Sequence, residues 1–119
     1  MNREDMIALV HHQATAWQGR DSQAVSEDFT PDGVLISPSV RLVGSVAVRA
    51  AAQDVFANLT RIDITIKRIV VEGDQGAVEW TWTETDAKTG LQKTTDDAII
   101  FAVQNNKIMY WREYIEVRR

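Results

Sequence analysis

Along residues 3–18 the apolar positions repeat with a helical period: Met6, Val10, Ala14 and Trp17 fall on one stripe at 100° per residue, with Leu9 at its margin. The pattern predicts a long amphipathic helix with Asn2 as N-cap and with Glu4 and Asp5 in the first turn, where the helix dipole favours negative charge. Gln13 lies in the middle of the stripe and is expected to point inward, either as an amide satisfied by the backbone or a buried water, or as a ligand contact. His11 and His12 fall off the stripe and are expected at the surface. Neighbours on a helix point about 100° apart and do not hold one metal together. A second, short helix fits Ser22 to Asp28 behind an Asp21 cap. TPDG at residues 30–33 carries turn chemistry, and VLIS reads as a short strand. An extended piece runs through Leu42 to Gly44, and Ser45 is expected to cap a third, alanine-rich helix of about thirteen residues.

Beyond that helix the period changes from helical to alternating. IDITIKRIVVEG, GAVEWTWTETD, TTDDAIIFAV and KIMYWREYIEV are four successive strand candidates, separated by GDQG, DAKTG and NN, which are hairpin signals. Helices first and a meander afterwards predict one α+β domain over residues 1–119, its helices packed on one face of a curved antiparallel sheet.

Turn lengths set the register. A three-residue loop at NN, with Asn106 left-handed, pairs Val103 with Lys107, Phe101 with Met109, Ile99 with Trp111 and Asp97 with Glu113. A four-residue loop at AKTG places Trp80 beside Asp97, Trp82 beside Thr95 and Val78 beside Ile99. One face then carries Val78, Trp80, Trp82, Ile99, Phe101, Met109, Trp111 and Ile115, with Asp97 and Glu113 among them. Arg112 and Tyr114 go to the other side, as do Ile100 and Tyr110. A two-residue loop at NN would instead turn Asp96 and Ala98 toward the Trp111 face, because a one-residue slip flips a strand.

Composition narrows the function. At 119 residues and 45% hydrophobic content the chain suffices for one core and one pocket, burying roughly two-thirds of its unfolded surface. The net charge of −4, with no basic stripe, argues against nucleic acid or an anionic membrane as partner. No cysteine is present for a disulfide or a thiolate metal site. No apolar run approaches the ~20 residues that span a bilayer, and a cytoplasmic protein is expected.

The spacing W-x-x-x-D (Trp17 to Asp21), then F-x-x-D-G (Phe29 to Gly33), Gly44 before a helix, and K-I-x-x-W-R-E-Y-I-E near the end resembles the SnoaL-like group of the nuclear transport factor 2-like superfamily. The resemblance covers nearly the whole chain. It implies a cystatin-like cone, a bent sheet wrapped around the long first helix with a pocket at the open end, and dimers formed through the outer sheet face. Its members include polyketide cyclases, ketosteroid isomerase and limonene epoxide hydrolase, so it implies fold more than chemistry. Ser37 stands where the isomerase would have its general base, Gln13 near its oxyanion tyrosine and Ile99 near its protonated acid. Glu113 corresponds to the aspartate of the epoxide hydrolase's W-R-D-Y stretch, whose arginine and second aspartate would fall near Trp80 and Trp82.

The candidate site is therefore built from this chain's own residues: Glu113 as general base and Asp97 as its partner acid, with Gln13, Trp17, Ser37, Trp80, Trp82, Met109 and Trp111 around a small apolar, hydroxylated or carbonyl ligand. No metal or cofactor is expected. Two classes stay open: a cofactor-independent isomerase, cyclase, lyase or hydrolase, and a non-catalytic module binding a cationic or hydroxylated ligand on tryptophan faces. A homodimer through Ile100, Tyr110 and Tyr114 is expected, since no helix remains to cover that face.

Overall fold

A computed structural model describes all 119 residues. Helix α1 runs Arg3–Gln18, opened by a capping box in which Asn2 and Asp5 satisfy each other's backbone N–H. Helix α2 is Ser22–Glu27 with the Asp21 side chain as its cap. Strands β1 (Phe29–Ile36) and β2 (Arg41–Val43) precede helix α3 (Ser45–Asn58). Four long strands follow: β3 (Leu59–Glu72), β4 (Gln75–Asp86), β5 (Gln92–Gln104) and β6 (Lys107–Val117). No helix is long and apolar enough to cross a membrane.

The expected meander is present as β3 to β6, but the sheet is larger than expected and not wholly antiparallel. Six strands lie in the order β2-β1-β6-β5-β4-β3, and β1 runs parallel to β6. A pairing between the first and last strands is invisible to local patterning, because the residues involved are some eighty positions apart in the chain. The TPDG segment, expected as a turn, lies inside β1. It forms an irregularity between the pairs Phe29–Ile108 and Val34–Tyr110. Its glycine is required by close approach, since a Cβ on Gly33 would sit 2.6 Å from the carbonyl oxygen of Ile108. Ser45 does not cap α3: Gly44 occupies that position with φ 94°, a conformation open to glycine, and makes no side-chain capping bond.

On the inner side, α1 packs on β3 and α3 on β1, β2 and β3. The core holds Met6, Val10, Val25, Phe29, Trp80, Ile99, Phe101, Ile108 and Trp111, all at or below 1% exposure. Trp111 is its aromatic centre, with ring centroids 5.8 Å from both Trp80 and Phe101 at tilted angles that suit aromatic quadrupoles.

The β4–β5 register is the expected one: Trp80 pairs with Asp97, Trp82 with Thr95 and Val78 with Ile99. The β5–β6 register is not. Asn105 and Asn106 both have positive φ (54° and 63°), the geometry of a two-residue hairpin turn, and Gln104 pairs with Lys107. Alone, that turn would have reversed the faces. A bulge restores them: Val103 pairs with Ile108 but Ala102 pairs with Tyr110, so Met109 is the extra residue. Phe101 consequently faces Trp111, Ile99 faces Glu113, and Asp97 faces Ile115. Asp97 and Glu113 keep the predicted inner face but are diagonal neighbours, not directly opposed. Met109 is 40% exposed and is no part of the inner wall.

Candidate functional site

The inner face closes over a cavity of about 290 Å³. Trp17 from α1, Val48 and Val55 from α3, and Leu35 from β1 supply apolar wall, and Ser37 lies at the end of β1. The sheet contributes Trp82, Glu84, Lys93, Thr95, Asp97, Glu113 and Ile115.

Of the nine residues expected at the site, five line this cavity: Glu113, Asp97, Trp17, Ser37 and Trp82. Trp80 and Trp111 lie behind the wall, fully buried, and act on the site through their indole N–H groups. Trp80 donates to Asp97 Oδ2 at 3.0 Å, and Trp111 donates to Glu113 Oε2 at 3.1 Å. Gln13 points inward but does not reach the cavity. Its Nε2 donates to the Val25 carbonyl and to Asp28 Oδ2, both at 2.9 Å, and its Oε1 accepts from the Trp17 indole at 3.1 Å. The amide is thus saturated by protein groups and fixes the edge of Trp17. His12 is exposed as expected, yet its Nδ1 lies 2.6 Å from Asp28 Oδ2, which ties the same cluster to the surface. Met109 is absent for the reason given above, the bulge that turns it outward.

Sequence reasoning missed Glu84, Lys93 and Thr95. Alternation carries the signal: counting by twos from Trp80 and Trp82 reaches Glu84, and from Asp97 reaches Thr95 and Lys93. A second signal is the repeated W-x-E. Trp82 donates to Glu84 Oε1 at 2.9 Å across the same two-residue step that joins Trp111 to Glu113. Side chains two apart on a strand share a face, so this spacing puts an indole N–H beside a carboxylate.

Electrostatically the site is short of positive charge. Arg118 makes two 2.8 Å bonds to Asp96 on the outer face and brings no charge to the cavity. That pairing holds the Asp96 carboxyl down at about 2. Asp97 is 4% exposed, and burial pushes its carboxyl up, opposed by the neighbouring Thr95 hydroxyl and by the Trp80 hydrogen bond, with Asp96 and Glu84 adding like charge. Burial pushes Glu113 up to about 7, opposed by the Trp111 hydrogen bond and reinforced by the charge of Asp97.

Comparison with known proteins agrees with this geometry at the level of fold. The sequence model of the SnoaL-like domain matches residues 10–111. The chain belongs to the SnoaL-like domain family. No curated protein matches it in sequence. Among solved structures, this SnoaL-like chain superposes with a TM-score of 0.83 on a hypothetical protein of ketosteroid isomerase-like fold from Catenulispora acidiphila in complex with trimethylamine. The two are 18% identical over 89% of this chain and 83% of that one. TsrD from Streptomyces laurentii gives a TM-score of 0.85 at 18% identity, covering 98% and 91%. An LEH-like epoxide hydrolase from M. tuberculosis gives 0.83 at 20% identity, covering 95% and 84%. At these identities the likeness establishes the fold alone.

The raised carboxyl gives a stability prediction of definite sign. In the unfolded chain Glu113 ionises near its ordinary 4.5, whereas in the folded SnoaL-like domain it holds its proton to about 7. Between those values the unfolded state gains ionisation free energy that the folded state does not share. Its contribution to stability is greatest below about pH 4.5, falls as pH rises to about 7, and is flat above, with a total change of up to roughly 3 kcal/mol. Denaturant unfolding of wild type and Glu113→Gln between pH 5 and 8 is expected to show the variant gaining on wild type as pH rises. Parallel stability curves across that window would contradict it.

Proposed function

We propose that this SnoaL-like protein binds a small, largely apolar molecule and moves a proton on it, Glu113 serving as general base and Asp97 as partner acid. The observation that carries the reading is that both carboxyls line one cavity together with Trp17 and Trp82, each hydrogen-bonded to the indole of a buried tryptophan. A carboxyl raised to about 7 is an effective base near neutrality, because it is deprotonated in useful fraction yet basic enough to take a proton. The chemistry that suits such a pair is enolisation beside a carbonyl, ring closure of a polyketide-like chain, or activation of water against an epoxide. The M. tuberculosis neighbour supports the last of these as a reaction this fold accommodates.

A binding role without turnover is the second reading, and the excess of carboxyl over ammonium groups in the lining favours it for cationic ligands. The trimethylamine complex of the Catenulispora protein supports that reading too. Deuterium exchange separates the two. With small cyclic ketones in deuterated water, the wild-type protein is expected to speed exchange of the protons next to the carbonyl, with an apparent midpoint near pH 7. Glu113→Gln is expected to lower that rate by about two orders of magnitude or more. Equal rates for the two proteins would remove the catalytic reading.

We also infer a homodimer. On the outer sheet face Ile100 is 46% and Tyr114 51% exposed, with Tyr110 partly exposed beside them, and no helix covers them. The Arg112 guanidinium, opposite Ile100 and between the two tyrosines in the register, lies 5.0 Å from the Tyr114 ring centre, so its charge rests against an aromatic face within the patch. Sedimentation equilibrium at micromolar concentration is expected to give twice the chain mass, and Tyr114→Glu to give the monomer. A monomeric wild type would contradict the inference.

A further inference from the structure

Asp97 offers the cavity an acceptor that the protein itself does not use. The residue is 4% exposed, Oδ2 is taken by the Trp80 indole, and Oδ1 is a buried side-chain polar atom with no hydrogen-bond partner. Buried acceptors are nearly always paired, because leaving one unpaired forfeits its hydration with nothing in return. An orphaned carboxylate oxygen in a cavity wall therefore calls for a donor arriving from the cavity.

The charge balance says what kind of donor. Glu84, Asp97 and Glu113 line the cavity against one ammonium, Lys93, which stands opposite Glu84 in the β4–β5 ladder. Each of the three carboxyls accepts from an indole, and an indole N–H donates a hydrogen bond without bringing a charge. An anion entering this space would meet negative charge already lacking compensation. The volume of about 290 Å³ lies at the small end of the range for small-molecule pockets, which suits a single substituted ring.

Building on the acid–base reading of the same cavity, we propose that its ligand is a ring-sized molecule bearing a hydrogen-bond donor, a hydroxyl or an ammonium group, which it gives to Asp97 Oδ1, and that anions are excluded. Trp17, Trp82, Leu35, Val48 and Val55 take the apolar body of such a ligand, while the donor end reaches Asp97. Asp97 is thereby the residue that sets specificity: ionised, it accepts the ligand's donor, and on taking up a proton it serves as the partner acid to Glu113.

Four probes of one shape test this at pH 8: benzylamine, benzyl alcohol, toluene and benzoate, titrated into the wild-type protein with carboxyl carbon NMR as readout. Benzylamine and benzyl alcohol are expected to bind at least about tenfold more tightly than toluene, the difference that one satisfied buried acceptor makes. They are also expected to shift the Asp97 carboxyl resonance, and benzoate to leave it unmoved. In Asp97→Asn the advantage of benzylamine over toluene is expected to shrink at least fivefold. Toluene binding as well as benzyl alcohol would overturn the proposal and show that water already serves Asp97, while leaving the cavity intact as an aromatic site. Benzoate binding most tightly would overturn it as well. If none of the four perturbs Asp97 or Glu113, the acid–base reading of the cavity falls together with the donor rule.

Discussion

Four indole N–H groups organise the interior of this protein, and three of them end on carboxyls. Trp80 holds Asp97, Trp82 holds Glu84, Trp111 holds Glu113, and Trp17 holds the amide of Gln13. A tryptophan is large enough to fill the core and polar enough at one edge to anchor a buried carboxyl. The anchor is incomplete, however, because a neutral donor supplies geometry without neutralising charge. The carboxyls stay where the fold places them, but burial keeps Asp97 and Glu113 biased toward their protonated forms. The core and the candidate site are in this sense built together: the same rings that give α1 and the sheet their packing fix the acid groups in the cavity lining.

That construction depends on one residue of strand arithmetic. The Asn105–Asn106 turn sets a pairing that would carry Trp111 and Glu113 to the outer face, and the bulge at Met109 reverses it. In the parallel pairing on the other side of β6, the TPDG segment of β1 lies opposite the same point, between Phe29–Ile108 and Val34–Tyr110. Two irregularities thus face each other across one ladder. Bulges increase local twist and bend a strand, so the feature that orients Glu113 also adds to the curvature that makes room for the cavity. Gly33 belongs to the same constraint, since no Cβ fits against the Ile108 carbonyl there.

Much of this was legible in the sequence, and the misses have physical causes. Helix stripes located α1 and the inward turn of Gln13, because a single helix face is decided locally. What Gln13 would meet was not local: its partners come from α2 and from Asp28 beyond it, although Trp17 four residues on was a readable neighbour. The β4–β5 register followed from alternation and one loop. The β5–β6 register failed by two residues because a bulge leaves parity intact while moving every pair. The spacing of Ile108 and Trp111, two apolar residues three apart in a strand and both fully buried, was its trace. The parallel β1–β6 contact and the cavity wall contributed by α3 arise only when distant segments meet. Family membership settles the fold; the chemistry rests on side chains the family does not dictate.

Glu113 is a partly buried acid held by an indole and left without a paired cation. Carboxyl-detected NMR titration of the free protein from pH 3 to 9 tests it most directly. The account predicts a Glu113 midpoint near 7, with a second inflection in its resonance or that of Asp97 reporting their mutual charge. A Glu113 midpoint in the ordinary range of 4 to 5, independent of Asp97, would mean that water or an unrecognised cation compensates the site and would contradict the account.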